Sequence, residues 1–256
     1  MCRMIAGIAH QGFSKKEVDS IWNHFQRMSA DQTGSHELNQ GVLGSFTHHH
    51  GWGMSWVDKE NADLSTYHSV VPPWLDSIPP EFVKKISATN AFFFHARMAS
   101  PGLQVGDEYI HPFSGKSAST GPATFCHNGT VFGKDVEISS DYKMKTESDS
   151  ERLFYSILSE LDRSEQGDNG TLKKTLQKIL KYTGANYFIL TNNQFIASTN
   201  YNRNPKYFTM YFTQTANMVC VSSEPSKDIA SVWKPIQNHE ILTIPDLTSS
   251  NQLVVK

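Results

Sequence analysis

Beyond residue 186 the chain reads as a run of short, apolar, β-prone segments set close together. They are Tyr187 to Thr191, Gln194 to Ser198 across Asn192-Asn193, Lys206 to Thr213, Met218 to Ser222 and Glu240 to Ile244. A tight turn can join only antiparallel neighbours, because parallel strands need a crossover of about a dozen residues or more. The shortest of these connections therefore commit this part of the chain to antiparallel sheet.

Earlier segments add helices and further strands. Cys2 to Ala9 reads as an apolar strand, and Ser14-Lys15-Lys16-Glu17 is a capping box that opens a helix. Val18, Ile21, Trp22, Phe25 and Met28 then recur at helical spacing and form a core stripe. From Ser29 to Gly44 the chain is polar and reads as a long loop, before alternation resumes at Trp52, Met54 and Trp56. Pro72 to Pro80 leads to a short helix over Glu81 to Ser87, and Asn90 to Ala96 is a strand buried on both faces. Phe125 to Phe132 reads as two strands joined at the turn signal Asn128-Gly129. Ser148-Asp149-Ser150-Glu151 is a second capping box, with Leu153, Phe154, Ile157, Leu158 and Leu161 on one helical face, and a third helix is expected over 171–182. Strands at both ends with helices between them predict an α+β fold of antiparallel sheets. With no internal repeat or linker, residues 1–256 are expected to form one domain.

Charge narrows the partners. Twenty-three Lys plus Arg against 25 Asp plus Glu give a net charge of −2, so neither nucleic acid nor an anionic membrane is an expected partner. No apolar run is long enough to span a bilayer and no signal sequence opens the chain, so the expected location is cytoplasmic. Cys2, Cys126 and Cys220 are too scattered for a disulfide framework or a zinc knuckle.

Several chemistries drop out. His36-Glu37 and His239-Glu240 lack the second histidine of a zincin, and Gly115-Lys116-Ser117 lacks the first glycine of a P-loop. Neither GxSxG nor GxGxxG occurs. His48 and His50 would share a face in a strand, and with His95, His111 and His127 nearby they could ligate a metal, though the ordinary reading is hydrogen-bonding histidines.

Cys2 follows the initiator Met, so loss of one residue would put a thiol and an α-amine on one residue. An α-amine with a pKa near 7.7–8.0 can accept the thiol proton, the logic of an N-terminal nucleophile. The ordinary alternative is a packed cysteine.

Downstream pieces favour the first reading. They are Met1-Cys2-Arg3-Met4-Ile5-Ala6-Gly7, His50-Gly51-Trp52-Gly53-Met54-Ser55-Trp56, His95-Ala96-Arg97-Met98-Ala99-Ser100-Pro101-Gly102, His111-Pro112-Phe113, Phe125-Cys126-His127-Asn128-Gly129, Ser148-Asp149-Ser150-Glu151 and Ser223-Glu224-Pro225. In this order they resemble the class-II glutamine amidotransferases of the N-terminal nucleophile hydrolase superfamily. The likeness is to stand-alone members similar to the γ-glutamyl hydrolase of ergothioneine synthesis and to glutathione-degrading proteins.

The resemblance implies a four-layer αββα sandwich of two antiparallel sheets flanked by helices. It implies Cys2 as nucleophile and Asn128 with Gly129 as oxyanion hole. Arg97 would hold the substrate α-carboxylate, Asp149 the α-ammonium, and Ser100 would contribute a hydroxyl. It implies no cofactor and no metal. His50 replaces the usual Asp, and the loop from Ser29 to Gly44, expected near the pocket mouth, lacks the usual charged run. The implied partner is a small γ-glutamyl substrate. If that substrate is glutamine, the released ammonia would pass to a synthetase on a separate chain, since the resemblance spans nearly the whole sequence. If it is a γ-glutamyl conjugate, the enzyme stands alone. Two other readings stay open: a non-catalytic amidotransferase-like partner subunit, and a metallohydrolase built on the histidines.

Overall fold

Cys2–Ala9 forms β1, a strand whose residues are all buried. Its side chains alternate between two cores: Met4, Ala6 and Ile8 join one apolar cluster, Ile5 and Ala9 another. A strand with both faces covered must lie inside a layered structure. The computed structural model, which describes residues 1–58, 63–78, 80–132, 137–164, 171, 172, 175, 178 and 181–247, shows those layers.

The helix α1 (Lys15–Ser29) starts at Ser14, whose side chain accepts from the Glu17 amide while the Glu17 carboxylate accepts from the Ser14 amide, the expected capping box. Next come β2 (Trp52–Val57), β3 (Leu64–Ser69), α2 (Pro80–Ala88) and β4 (Ala91–Arg97). β5 (Phe113–Ser117), β6 (Gly121–Val131) and α3 (Asp149–Arg163) complete the first part. The rest comprises β7 (Tyr182–Thr191), β8 (Phe195–Thr199), a single helical turn at Pro205–Phe208, β9 (Met210–Gln214), β10 (Met218–Ser222), β11 (Lys234–Ile236) and β12 (Glu240–Ile244).

A seven-stranded sheet has the order β11-β9-β10-β1-β4-β2-β3, and a five-stranded sheet the order β12-β8-β7-β6-β5. Their strand pairs are antiparallel. Met4, Phe93, Cys126, Phe188 and Val221 belong to the core between the sheets. α1 covers the outer face of the larger sheet through Ile21, Phe25 and Met28 against Trp52 and Phe94. α3 covers the smaller sheet through Phe154 and Leu158 against Phe125 and Ile189. This is the expected αββα sandwich of an α+β chain.

The departures are local. Asn128-Gly129 is no turn: both residues lie within β6, paired with Asn186 and Ala185, and the register shifts between Gly129 and Val131. Gly129 has φ +151°, and a Cβ there would lie 1.7 Å from the Gly184 carbonyl oxygen. Glycine is thus demanded by a close backbone approach at a bulge. Ser148 does cap α3, accepting from the Ser150 amide, but Glu151 does not reach back to it. Glu151 instead accepts from the Lys145 and Thr146 amides at 2.8 and 2.7 Å. The strand expected from Lys206 begins only at Met210, because Pro205 starts a helical turn first. The helix expected over 171–182 falls largely outside the described residues, and Tyr182 opens β7. His48, His49 and His50 lie in irregular chain, not in a strand.

Candidate active site

β1 and β4 pair with Cys2 opposite Arg97 and Met4 opposite His95. Since opposite residues share a face, this register sets Cys2, His95 and Arg97 on one face at the same end of the sheet. β6 crosses that end from the second sheet, and the start of α3 closes it. A cavity of about 480 Å³ results, lined among others by Cys2, Arg97, Ser100, Tyr109, Gly129 and Asp149. Asn128 stands behind it, 1% exposed, and accepts the Cys2 amide proton through Oδ1 at 2.8 Å.

With Oδ1 engaged, Asn128 presents its other end as a donor: Nδ2 is buried with no hydrogen-bond partner in the protein. Arg97 follows the same pattern. Its Nη2 donates to the Gln104 carbonyl at 2.8 Å, the guanidinium stands 5.7 Å from the Tyr109 ring centre, and Nη1 is buried without a partner. Arg97 is only 7% exposed, so it is not a surface ion pair. Burial lowers its pKa, and the nearby Cys2 and Asp149 charges pull it back. Asp149 occupies the first turn of α3, where the helix dipole favours a carboxylate. Its Oδ2 accepts from the Val131 amide at 2.8 Å, fastening the end of β6 to α3. Orphaned donors are costly away from water, and Arg97, which lines the cavity, and Asn128, which stands behind it, each hold one that a hydrogen-bond acceptor would satisfy.

The three cysteines separate sharply. Burial pushes the Cys2 thiol up, but His95 and the N-terminal ammonium more than offset it, bringing the thiol down to about 6. Burial holds the Cys126 and Cys220 thiols well above their ordinary value. Cys126 packs its sulfur 3.5 Å from that of Met4 in the core between the sheets. Of the three, only Cys2 has a nucleophile's electrostatics.

The N-terminus lies at the same place. The Met1 ammonium donates to the Met98 carbonyl at 2.7 Å, and Met1 lines the cavity. In the chain as it stands, the Cys2 nitrogen is therefore a peptide amide, pointed at Asn128.

Other residues serve at one remove. Tyr207, on the helical turn, donates its hydroxyl to the Cys2 carbonyl at 2.9 Å and meets His48 Nε2 at 2.9 Å. His50 accepts the Ala99 amide on Nδ1 at 2.9 Å, steadying the segment after Arg97. His48 and His50 thus do structural work, and among the described residues no group of three or more His, Cys, Asp or Glu is arranged to hold a metal. The loop after Ser29 is not at the pocket mouth: among its residues, Glu37 accepts from the Lys206 and Tyr207 amides, on the other side of Cys2. Sequence reading gave Tyr207 no role and His95 only a conditional place among metal ligands. Only the strand register brings His95 beside the thiol.

Comparison with known proteins agrees with this architecture. No curated protein matches the chain. Among solved structures, glutamine phosphoribosylpyrophosphate amidotransferase from B. subtilis is similar at TM-score 0.62 and 15% identity, over 95% of this chain and 47% of that one. An allosteric regulatory enzyme of purine biosynthesis is similar at TM-score 0.65 and 17% identity, over 96% of this chain and 47% of that one. This chain thus spans about half the length of either enzyme. A glutamine aminotransferase class-II domain protein from Silicibacter pomeroyi is similar at TM-score 0.54 and 17% identity, over 95% of both chains. At these identities the likeness is one of fold. Among the described residues no helix is long and apolar enough to cross a membrane. Residues 34–203, well over half of the sequence, match the class-II glutamine amidotransferase family, and the chain belongs to it.

Proposed function

We propose that the protein cleaves the γ-amide bond of a glutamyl group, with Cys2 as nucleophile. The observation that carries this reading is a thiol held near pKa 6 at a cavity where the Asn128 and Arg97 donors lack partners. Arg97 Nη1 and Nη2 suit a bidentate α-carboxylate, and Asp149 suits the α-ammonium on the same carbon. Holding the zwitterionic end presents the far γ-carbonyl to sulfur. The thiolate attacks that carbonyl, and Asn128 Nδ2 with the Gly129 amide stabilises the oxyanion. Collapse expels the amine and leaves a γ-glutamyl thioester, which water hydrolyses. If Met1 is removed, the Cys2 α-amine takes the place of the amide now bonded to Asn128 and can carry protons between thiol and leaving amine.

The leaving group is ammonia when glutamine is the substrate, and a synthetase on another chain would then consume it. With a γ-glutamyl conjugate, water is the only acceptor needed. Incubating wild type and Cys2→Ala with glutamine, glutathione and other γ-glutamyl amides tests the reading. Release of amine by the wild type, and a covalent glutamyl adduct on Cys2 in intact mass, are expected. Turnover by Cys2→Ala equal to wild type would sink the reading, and inactivity of the wild type on all these amides would favour a non-catalytic partner subunit.

A further inference from the structure

Three histidines crowd the face of the site that the proposed reaction leaves unassigned: His95 on β4, His111 before β5 and His127 on β6. They are buried, at 0%, 3% and 1% exposure. His95 and His111 stack with ring centres 4.2 Å apart. His127 has both nitrogens committed, Nδ1 to Ser150 Oγ at 2.9 Å and Nε2 to the Gly184 carbonyl at 3.4 Å. A carbonyl can only accept, so Nε2 of the neutral His127 ring carries the hydrogen and Nδ1 accepts from the Ser150 hydroxyl, which leaves Nδ1 engaged.

His95 differs. Its Nε2 meets the His127 carbonyl at 3.1 Å and must likewise carry the hydrogen. That fixes the other nitrogen, Nδ1, as a bare lone pair, and Nδ1 is buried with no partner in the protein. The β1–β4 register sets this ring diagonally beside Cys2 on the same sheet face. We propose that His95 Nδ1 is the proton acceptor for the Cys2 thiol, locked in the receptive tautomer by the His127 backbone.

The step balances simply. The S–H proton moves to Nδ1, giving thiolate and imidazolium, and the imidazolium keeps its Nε2–H bond to His127. Where the proposed amide cleavage holds, on which this last step rests, the same proton passes to the departing amine as the thioester forms whenever a retained Met1 leaves Cys2 without an α-amine to carry it. The structure shows no Cys2–His95 hydrogen bond of ordinary length, and catalytic bonds of this kind commonly close only in the substrate complex. His95 thereby supplies a base even while Met1 is present and Cys2 has no α-amine. The groups facing it are Cys2 from β1, His68 on β3, His111 and His127, with Arg97 on its own strand and the Met1 ammonium near Cys2. Burial lowers His68, His111 and His127, the last to about 4, so these three stay neutral near pH 7.

Iodoacetamide labelling of the full chain, with peptide mapping to isolate Cys2, reads the thiolate without any substrate. In wild type the labelling rate is expected to rise with pH through a midpoint of about 6. In His95→Gln the midpoint is expected to move toward the free-thiol value of about 8.5, lowering the rate at pH 7 about 30-fold. An unmoved midpoint would overturn the proposal. Because His95 is fully buried, nitrogen-15 histidine spectra of the wild type give an independent reading: at alkaline pH, hydrogen on Nε2 and none on Nδ1 supports the proposal, and the reverse overturns it. A chain inactive on every γ-glutamyl amide, yet with a His95-dependent thiol, would lose the proposed function and keep this assignment.

Discussion

Two buried polar clusters flank the start of β1, and they treat their charges in opposite ways. On one side Arg3 pairs with Glu224 at 2.5 Å, lies 4.1 Å from the Tyr207 ring centre and donates to the Tyr207 carbonyl at 3.1 Å. Thr33 in turn donates to Glu224, and Asn39 donates to Asp31 at 2.9 Å. On the other side, one residue away along the strand, Arg97 Nη1, Asn128 Nδ2 and His95 Nδ1 are buried without partners. The first cluster spends its charges on the fold. Arg3 Nε and His36 Nε2 are also buried without a hydrogen-bond partner, but Arg3 is paired with Glu224 and His36 stands 3.3 Å from Asp31, whereas the second cluster borders a cavity in which a ligand can meet its donors and acceptor.

The sharpest way to break this contrast is to remove one charge from each side. Glu224→Ala strands the Arg3 guanidinium, which is 1% exposed, and should cost about 3–5 kcal/mol of stability in a denaturant titration. Arg97→Ala should cost much less stability and instead raise KM roughly tenfold to a hundredfold, as expected for a lost charge-assisted hydrogen bond. Equal stability losses would mean that both clusters are structural.

Asn128 is the next test, since its side chain faces both ways. Asn128→Ala removes the acceptor that holds the Cys2 amide and the buried donor that lacks a partner. A fall in kcat on the order of 100- to 1,000-fold is expected, about 2.7–4 kcal/mol of barrier, with the melting temperature changed far less than by Glu224→Ala. A kcat within a few-fold of wild type on an active substrate would remove Asn128 from the chemistry.

How far this contrast could be read from sequence depends on how local each signal is. The Ser14 capping box, the α1 stripe and the twice-buried β4 rest on neighbours within a few residues, and the sequence carries them openly. β3, β5 and β11 escape notice because half-buried or edge strands hold polar residues, Gly115-Lys116-Ser117 and Lys234-Pro235 among them. Asn128-Gly129 misleads as a turn because a dipeptide preference cannot see Gly184 pressing on Gly129 from another strand. In the site, the resemblance named Cys2, Arg97, Ser100, Gly129 and Asp149, and these line one cavity. His95 and Tyr207 depend on register and on contacts across most of the chain, which no local pattern encodes.

Tyr207 joins the two clusters and offers the finest test. Its ring lies under Arg3, while its hydroxyl bonds the Cys2 carbonyl and meets His48. Tyr207→Phe keeps the ring and deletes only the hydroxyl, so the Arg3 side should stay intact and stability should fall by only about 1 kcal/mol. The Cys2 carbonyl would then lose the bond that fixes the residue's position from behind, while the amide remains held by Asn128. Loss of that one constraint should lower kcat several-fold with KM unchanged, because Arg97 and Asp149 lie on the other side. If KM rises and kcat holds, the hydroxyl acts on the pocket and not on the nucleophile, and the two clusters are coupled through the cavity wall instead of through β1.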